Sequence, residues 1–139
     1  MDIKKLLPFL EEEDLEQLAE KILSSPTHDY EGITLTTLLP FLDDDYVSKA
    51  CKKAFEKGDS ISNYLPFMDD DKIDEIFLLQ VKNNQPISKY LPYVSDDALH
   101  KVVNMVINGK ATLDLNVLLP FLDDDDIRNI FKAEMNKKA

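Results

Sequence analysis

Carboxylates are the groups on this chain whose number and spacing could do chemistry. Sixteen of its 27 acidic residues stand in five short runs: Glu11 to Asp14; Asp43, Asp44 and Asp45; Asp69, Asp70 and Asp71; Asp96 and Asp97; and Asp123, Asp124, Asp125 and Asp126. Divalent cations need several oxygens converging on one point. Consecutive helical residues point about 100° apart, and the D-x-[DN]-x-[DN]-G loop that wraps calcium is absent, which leaves only weak calcium or magnesium binding as an alternative. Acid–base catalysis needs two carboxyls whose pKa values are driven apart, and runs on an exposed edge do not supply that. An acidic edge that receives a basic protein or peptide needs only like charges facing solvent. A regular row of carboxylates could also imitate a nucleic-acid backbone and so occupy the site of a basic protein. Against this, stacked helices space the clusters more widely than phosphates along a strand, and 16 Lys and Arg dilute the field.

The other reactive types point away from an enzyme. His28 and His100 are the only histidines, and neither has a cysteine partner or a His-x-x-x-His spacing that would suit zinc. Cys51 shares an apolar column with Ala19, Phe77, Val103 and Phe131, so it reads as a small buried hydrophobe rather than a nucleophile. Three glycines leave no phosphate-cradling loop, and no G-x-S-x-G, H-E-x-x-H or P-loop string occurs. Tyr64 and Tyr90 replace leucine, and Tyr93 replaces phenylalanine, in the middle of the chain. They read as core positions whose hydroxyls reach solvent or, alternatively, as an aromatic patch for a partner.

The elements that must position these groups are repeats. Variants of LPFLDDD recur around Pro8, Pro40, Pro66, Pro92 and Pro120, at spacings of 32, 26, 26 and 28 residues, a period that marks stacked supersecondary units. Five residues before the proline stand Ile3, Leu35, Ile61, Ile87 and Leu115; two before it stand Leu6, Leu38, Tyr64, Tyr90 and Leu118; leucine always precedes it. That is an apolar i, i+3, i+4 face on a short helix, started by Asp2, Thr34, Ser60, Pro86 or Asp114. The proline ends or kinks this helix.

A second helix follows, capped by Asp43, Asp69, Ser95 or Asp123, with Glu11 a poor cap in the first copy, and closed by Gly58, Asn84 and Gly109 in the middle copies. The acids suit its N-terminus, where they complement the macrodipole. The expected architecture is all-α: five helix-turn-helix units over 2–23, 34–58, 60–84, 86–109 and 114–136, ten helices stacked as a short α-solenoid in a single domain, 1–139. Only the stretch from Ser24 to Gly32 is expected to be an extended loop. Glu134 would cap the last copy with a polar residue, while the first copy would stay bare.

Composition narrows the use. A formal charge of −11 repels nucleic acid and anionic lipid, and no window approaches 18 apolar residues, so neither direct nucleic-acid binding nor a membrane span is expected. One cysteine and no export segment at the start suggest the cytoplasm. The sequence thus reads as a non-enzymatic protein–protein interaction scaffold, with no cofactor and no metal site. Its candidate contact residues are the aspartates from Asp43 to Asp126 named above together with Tyr64, Tyr90 and Tyr93, its partner is a protein or peptide of basic character, and its first repeat allows self-association.

Overall fold

The computed structural model describes residues 1–138, and helix dominates it. The α-helices are α1 (Glu12–Ser24), the four-residue α2 (Leu35–Leu38), α3 (Asp44–Glu56), α4 (Asp70–Lys82), α5 (Asp96–Ile107) and α6 (Asp124–Lys138). The five long ones are the second helices of the five copies. Each begins where the sequence places a capping residue and an acidic first turn.

The first helices differ from expectation. Apart from α2, they are 3-10 segments: Ile3–Phe9, Leu65–Phe67, Ser88–Tyr90, Leu115–Val117 and Leu119–Phe121, with Leu39–Phe41 continuing α2. The motif proline is the cause, since it has no N–H to donate and its ring collides with the carbonyl four residues back. A tighter i→i+3 bond can step over it. In four copies the residue two after the proline donates its N–H to the leucine before it: Leu10 to Leu7 at 3.4 Å, and Leu42 to Leu39, Met68 to Leu65 and Leu122 to Leu119 at 3.3 Å. These four donors are extended, with ψ near 150° (151°, 150°, 155° and 150°), and this turns the chain toward the second helix.

The middle second helices stop as their sequences indicate. Gly58, Asn84 and Gly109 take positive φ values of 81°, 56° and 76°. After α3, Asp59 N–H reaches Ala54 O at 2.9 Å and Gly58 N–H reaches Phe55 O at 3.0 Å. The same pair of bonds recurs as Gln85 to Gln80 and Asn84 to Val81, and as Lys110 to Met105 and Gly109 to Val106. Each pair is a Schellman closure, which satisfies carbonyls that the helix end leaves open.

The stretch expected as an extended loop folds back on itself. Strands β1 (Asp29–Tyr30) and β2 (Ile33–Thr34) pair antiparallel, Asp29 opposite Thr34 and Tyr30 opposite Ile33. Glu31 and Gly32 both have positive φ, 49° and 81°, the combination that gives a two-residue turn the twist of its strands. Ile33 is buried and fixes the hairpin to the core, and Lys21 Nζ lies 5.4 Å from the centre of the Tyr30 ring.

Internal contacts divide the chain into two compact units, Met1–Asp69 and the residues from Asp70 onward, so the division falls inside the third copy, just before its second helix. In the first unit α1 packs on α2 and on β1; in the second α4 packs on α5 and α5 on α6. Two columns of the long helices supply much of the core: Leu15, Val47, Ile73 and Leu99, and four residues on Ala19, Cys51, Phe77 and Val103. Burying each Val, Leu, Ile or Phe here contributes about 1.5–3 kcal/mol relative to exposure. The polar cap expected on the last copy does not close it: Glu134 pairs with Lys137 at 3.5 Å, and Ile127, Phe131 and Met135 stay exposed on α6. No described helix is long and apolar enough to cross a membrane.

The Schellman closures give a direct test. A Cβ at Gly58 would meet nothing within 4 Å, so Gly58→Ala adds no clash and isolates the cost of a left-handed alanine. We expect a loss of about 1–2 kcal/mol by urea denaturation followed by circular dichroism.

Candidate functional site

The acidic runs divide two jobs between them. Fifteen of the sixteen carboxylates are exposed, while Asp126 is 4% exposed. Locally, Asp123 Oδ1 accepts from Asp126 N–H at 2.9 Å, Asp14 Oδ2 accepts from Glu11 N–H at 3.4 Å, and Ser95 Oγ accepts from Ala98 N–H at 3.2 Å. Asp14 therefore supports the helix start for which Glu11 alone is a weak cap. Asp43 makes no side-chain cap bond. Asp44, Asp45, Asp70, Asp71, Asp96, Asp97, Asp124 and Asp125 lie in first turns and face solvent, where they favour the helix dipole and remain open to a partner.

A second pattern links consecutive copies in the second unit. Asp74, eight residues after its proline, receives two bonds from Ser95, three residues after the next proline: Ser95 N–H to Oδ1 at 2.9 Å and Ser95 Oγ–H to Oδ2 at 2.6 Å. The same offsets recur one copy later with donor and acceptor exchanged. His100, eight after Pro92, sets Nε2 3.4 Å from Asp123 Oδ2 and hydrogen-bonds through Nδ1 to Asp126 Oδ1, three and six after Pro120. The hydrogen bond to Asp126 raises the His100 pKa above its ordinary value; the charges of Asp126, Asp123 and Asp97 add to this, and partial burial opposes it.

His100, Asp123 and Asp126 bring one ligating atom each within 4.8 Å of one another. The imidazole, however, turns its two nitrogens to two different carboxylates, and one ring cannot give both to a single ion. The geometry is that of an imidazole ring bridging two carboxylates, joining α5 to the start of α6, and both of its nitrogens donate when the ring is protonated.

The remaining candidates fall on both sides of the surface. Tyr64 and Tyr90 are buried, so they do not form an exposed aromatic patch; the Tyr90 ring lies 6.4 Å from Phe77 at a 58° tilt, and burial raises the Tyr64 pKa. They occupy the inward column shared with the buried Leu38 and Leu118. Tyr93 is exposed and stays available. Cys51 is fully buried, in keeping with its apolar column.

Sequence reasoning missed two features of the first unit. The Tyr46 hydroxyl donates to Glu20 Oε1 at 2.7 Å, and burial followed by this bond pushes the phenol pKa up. An open cleft of about 760 Å³ is lined by Glu20, Lys53, Lys57 and Asp59 together with Leu23 and Leu39 among others, a wall that mixes charges of both signs with apolar side chains. The usable signal was the offset within the copy: Tyr46 and Asp126 each stand six residues after their motif proline, and each bonds a residue of the copy before, 26 positions back.

The His100 pair predicts a pH dependence of definite sign. A histidine whose folded pKa is raised stabilises fully below its unfolded value of about 6.5, and that contribution disappears as pH rises through the folded value. Comparing thermal melts of the protein and His100→Gln from acid to mildly alkaline pH, we expect the wild-type advantage to be largest at the acid end and to shrink as pH rises.

No protein-family model matches the chain, and neither does any curated protein or solved structure. The surfaces described above carry the functional reading by themselves.

Proposed function

We propose that the chain is a non-enzymatic interaction scaffold, a short α-solenoid of helix-turn-helix repeats that binds a basic protein or peptide through its carboxylate-rich helix starts. The exposure of fifteen run carboxylates carries this reading. Capping accounts for only a few of them; crowding so many exposed carboxylates at the helix starts costs like-charge repulsion, and a cationic surface would relieve that repulsion. The packing of α4 on α5 and α5 on α6 supports the stacked arrangement. Tyr93, exposed and three residues before Asp96 in the chain, is available for an aromatic contact with the same partner.

The test is affinity capture from the source cell's lysate with the protein and with a variant carrying Asp43→Asn, Asp44→Asn, Asp45→Asn, Asp70→Asn, Asp71→Asn, Asp96→Asn and Asp97→Asn. Asp123 and Asp126 are kept, because they hold His100 and the start of α6. We expect a basic partner retained by the wild type, released by salt and lost from the variant, with affinity reduced at least about tenfold. Equal retention by both chains would remove the acidic surface from the account. Release by added DNA would mark the partner as a nucleic-acid-binding protein.

A further inference from the structure

The first and fifth copies expose apolar side chains more than the copies between them do. Seven and eleven residues after the last motif proline stand Ile127 and Phe131, 42% and 63% exposed, although both columns are buried in the four copies before; Leu119 and Met135 are exposed as well. Val117 adds an apolar side chain in a column that is polar elsewhere (Lys5, Thr37, Asn63 and Lys89). In the first copy the opposite columns are open. Leu6 is exposed where Leu38, Tyr64, Tyr90 and Leu118 are buried, and Phe9 is 83% exposed where Phe41, Tyr93 and Phe121 do not exceed 40%. Repeat faces that stay in water carry polar residues in such columns, and the first and fifth copies carry apolar ones.

Charge identifies the occupant. The junction residue eight after the proline, Asp74 or His100 in the copies before, is Arg128 in the last copy, exposed and the only arginine of the chain. The residues three and six after the first proline are Glu11 and Asp14, both exposed carboxylates. Asp123 and Asp126 hold His100 at those same offsets. A guanidinium facing Glu11 and Asp14 would repeat that junction with a better geometric match to carboxylates than imidazolium offers. We propose that the chain self-associates head to tail, the last repeat of one copy docking on the first repeat of a second copy, with Phe131 and Ile127 against Phe9 and Leu6 and with Arg128 against Glu11 and Asp14. This extends the interaction-scaffold reading by naming one partner. It uses other residues than the carboxylates substituted in the capture experiment, so either can fail without the other.

Such a contact is heterologous, with two different faces meeting, and complementation tests that directly. Light scattering of the purified chain from micromolar to millimolar concentration should show mass rising above the monomer. Phe131→Asp and Phe9→Asp each change an exposed side chain and should keep the helical circular dichroism while weakening association at least about tenfold. Mixed together, they should form a one-to-one pair, because one retains the first face and the other the last. Arg128→Glu should weaken association likewise and regain it on a chain also carrying Glu11→Arg and Asp14→Arg. A wild type that stays monomeric throughout overturns the proposal. So does a dimer that survives Phe9→Asp, which would mean last faces pairing with each other, or a mixture that fails to pair.

Discussion

A helix of 12 to 15 residues with a single apolar stripe is marginal in water, because helix nucleation is costly and its packing energy exists only when something covers the stripe. Every long helix of this chain is of that kind. Leu15 and Ala19 on α1, Val47 and Cys51 on α3, Ile73 and Phe77 on α4, and Leu99 and Val103 on α5 are all removed from water, and the fold depends on that mutual cover. On α6, in the fifth copy, the same columns are open. The proline corner serves this constraint: by allowing only a 3-10 turn before an extended residue, it brings each second helix back without a long first helix competing for space.

Polar chemistry then sets register at the junctions. Apolar stripes slide easily, whereas Asp74 receiving two bonds from Ser95, or His100 spanning Asp123 and Asp126, fits at one offset only. The two junctions use opposite donors, so a neighbouring copy could not replace the correct one without leaving a carboxylate against a carboxylate. The His100 junction is also the one whose strength changes near neutral pH, since its donor carries charge only when protonated.

The long helices were legible because three independent signals coincide in each copy: an acidic start, apolar residues at helical spacing, and Gly or Asn at the close of the middle three. The 3-10 character of the first helices was less legible. The i, i+3, i+4 pattern of Ile61, Tyr64 and Leu65 suits either helix type, and only the missing N–H of Pro66 chooses between them. The hairpin at Asp29 to Thr34 was hidden because its strands are two residues each, too short for an alternating pattern, although Glu31-Gly32 is a workable turn. Tyr64 and Tyr90 could be read as a patch only while their column was considered apart from Leu38 and Leu118. Asp126 sat among exposed aspartates in a run of four, and nothing local marked it as the buried one. The signal was in the partner, His100, in the copy before.

Native-state hydrogen exchange tests the mutual cover most directly. Val103 is fully buried on α5, which packs on α6, so Val103→Ala removes two methyl groups from a column through which neighbouring copies should cover one another. Amides of both α5 and α6 should then lose protection together, as one cooperative unit. Loss confined to α5, with α6 unchanged, would contradict mutual cover, because each copy would then be holding its own helix without its neighbour.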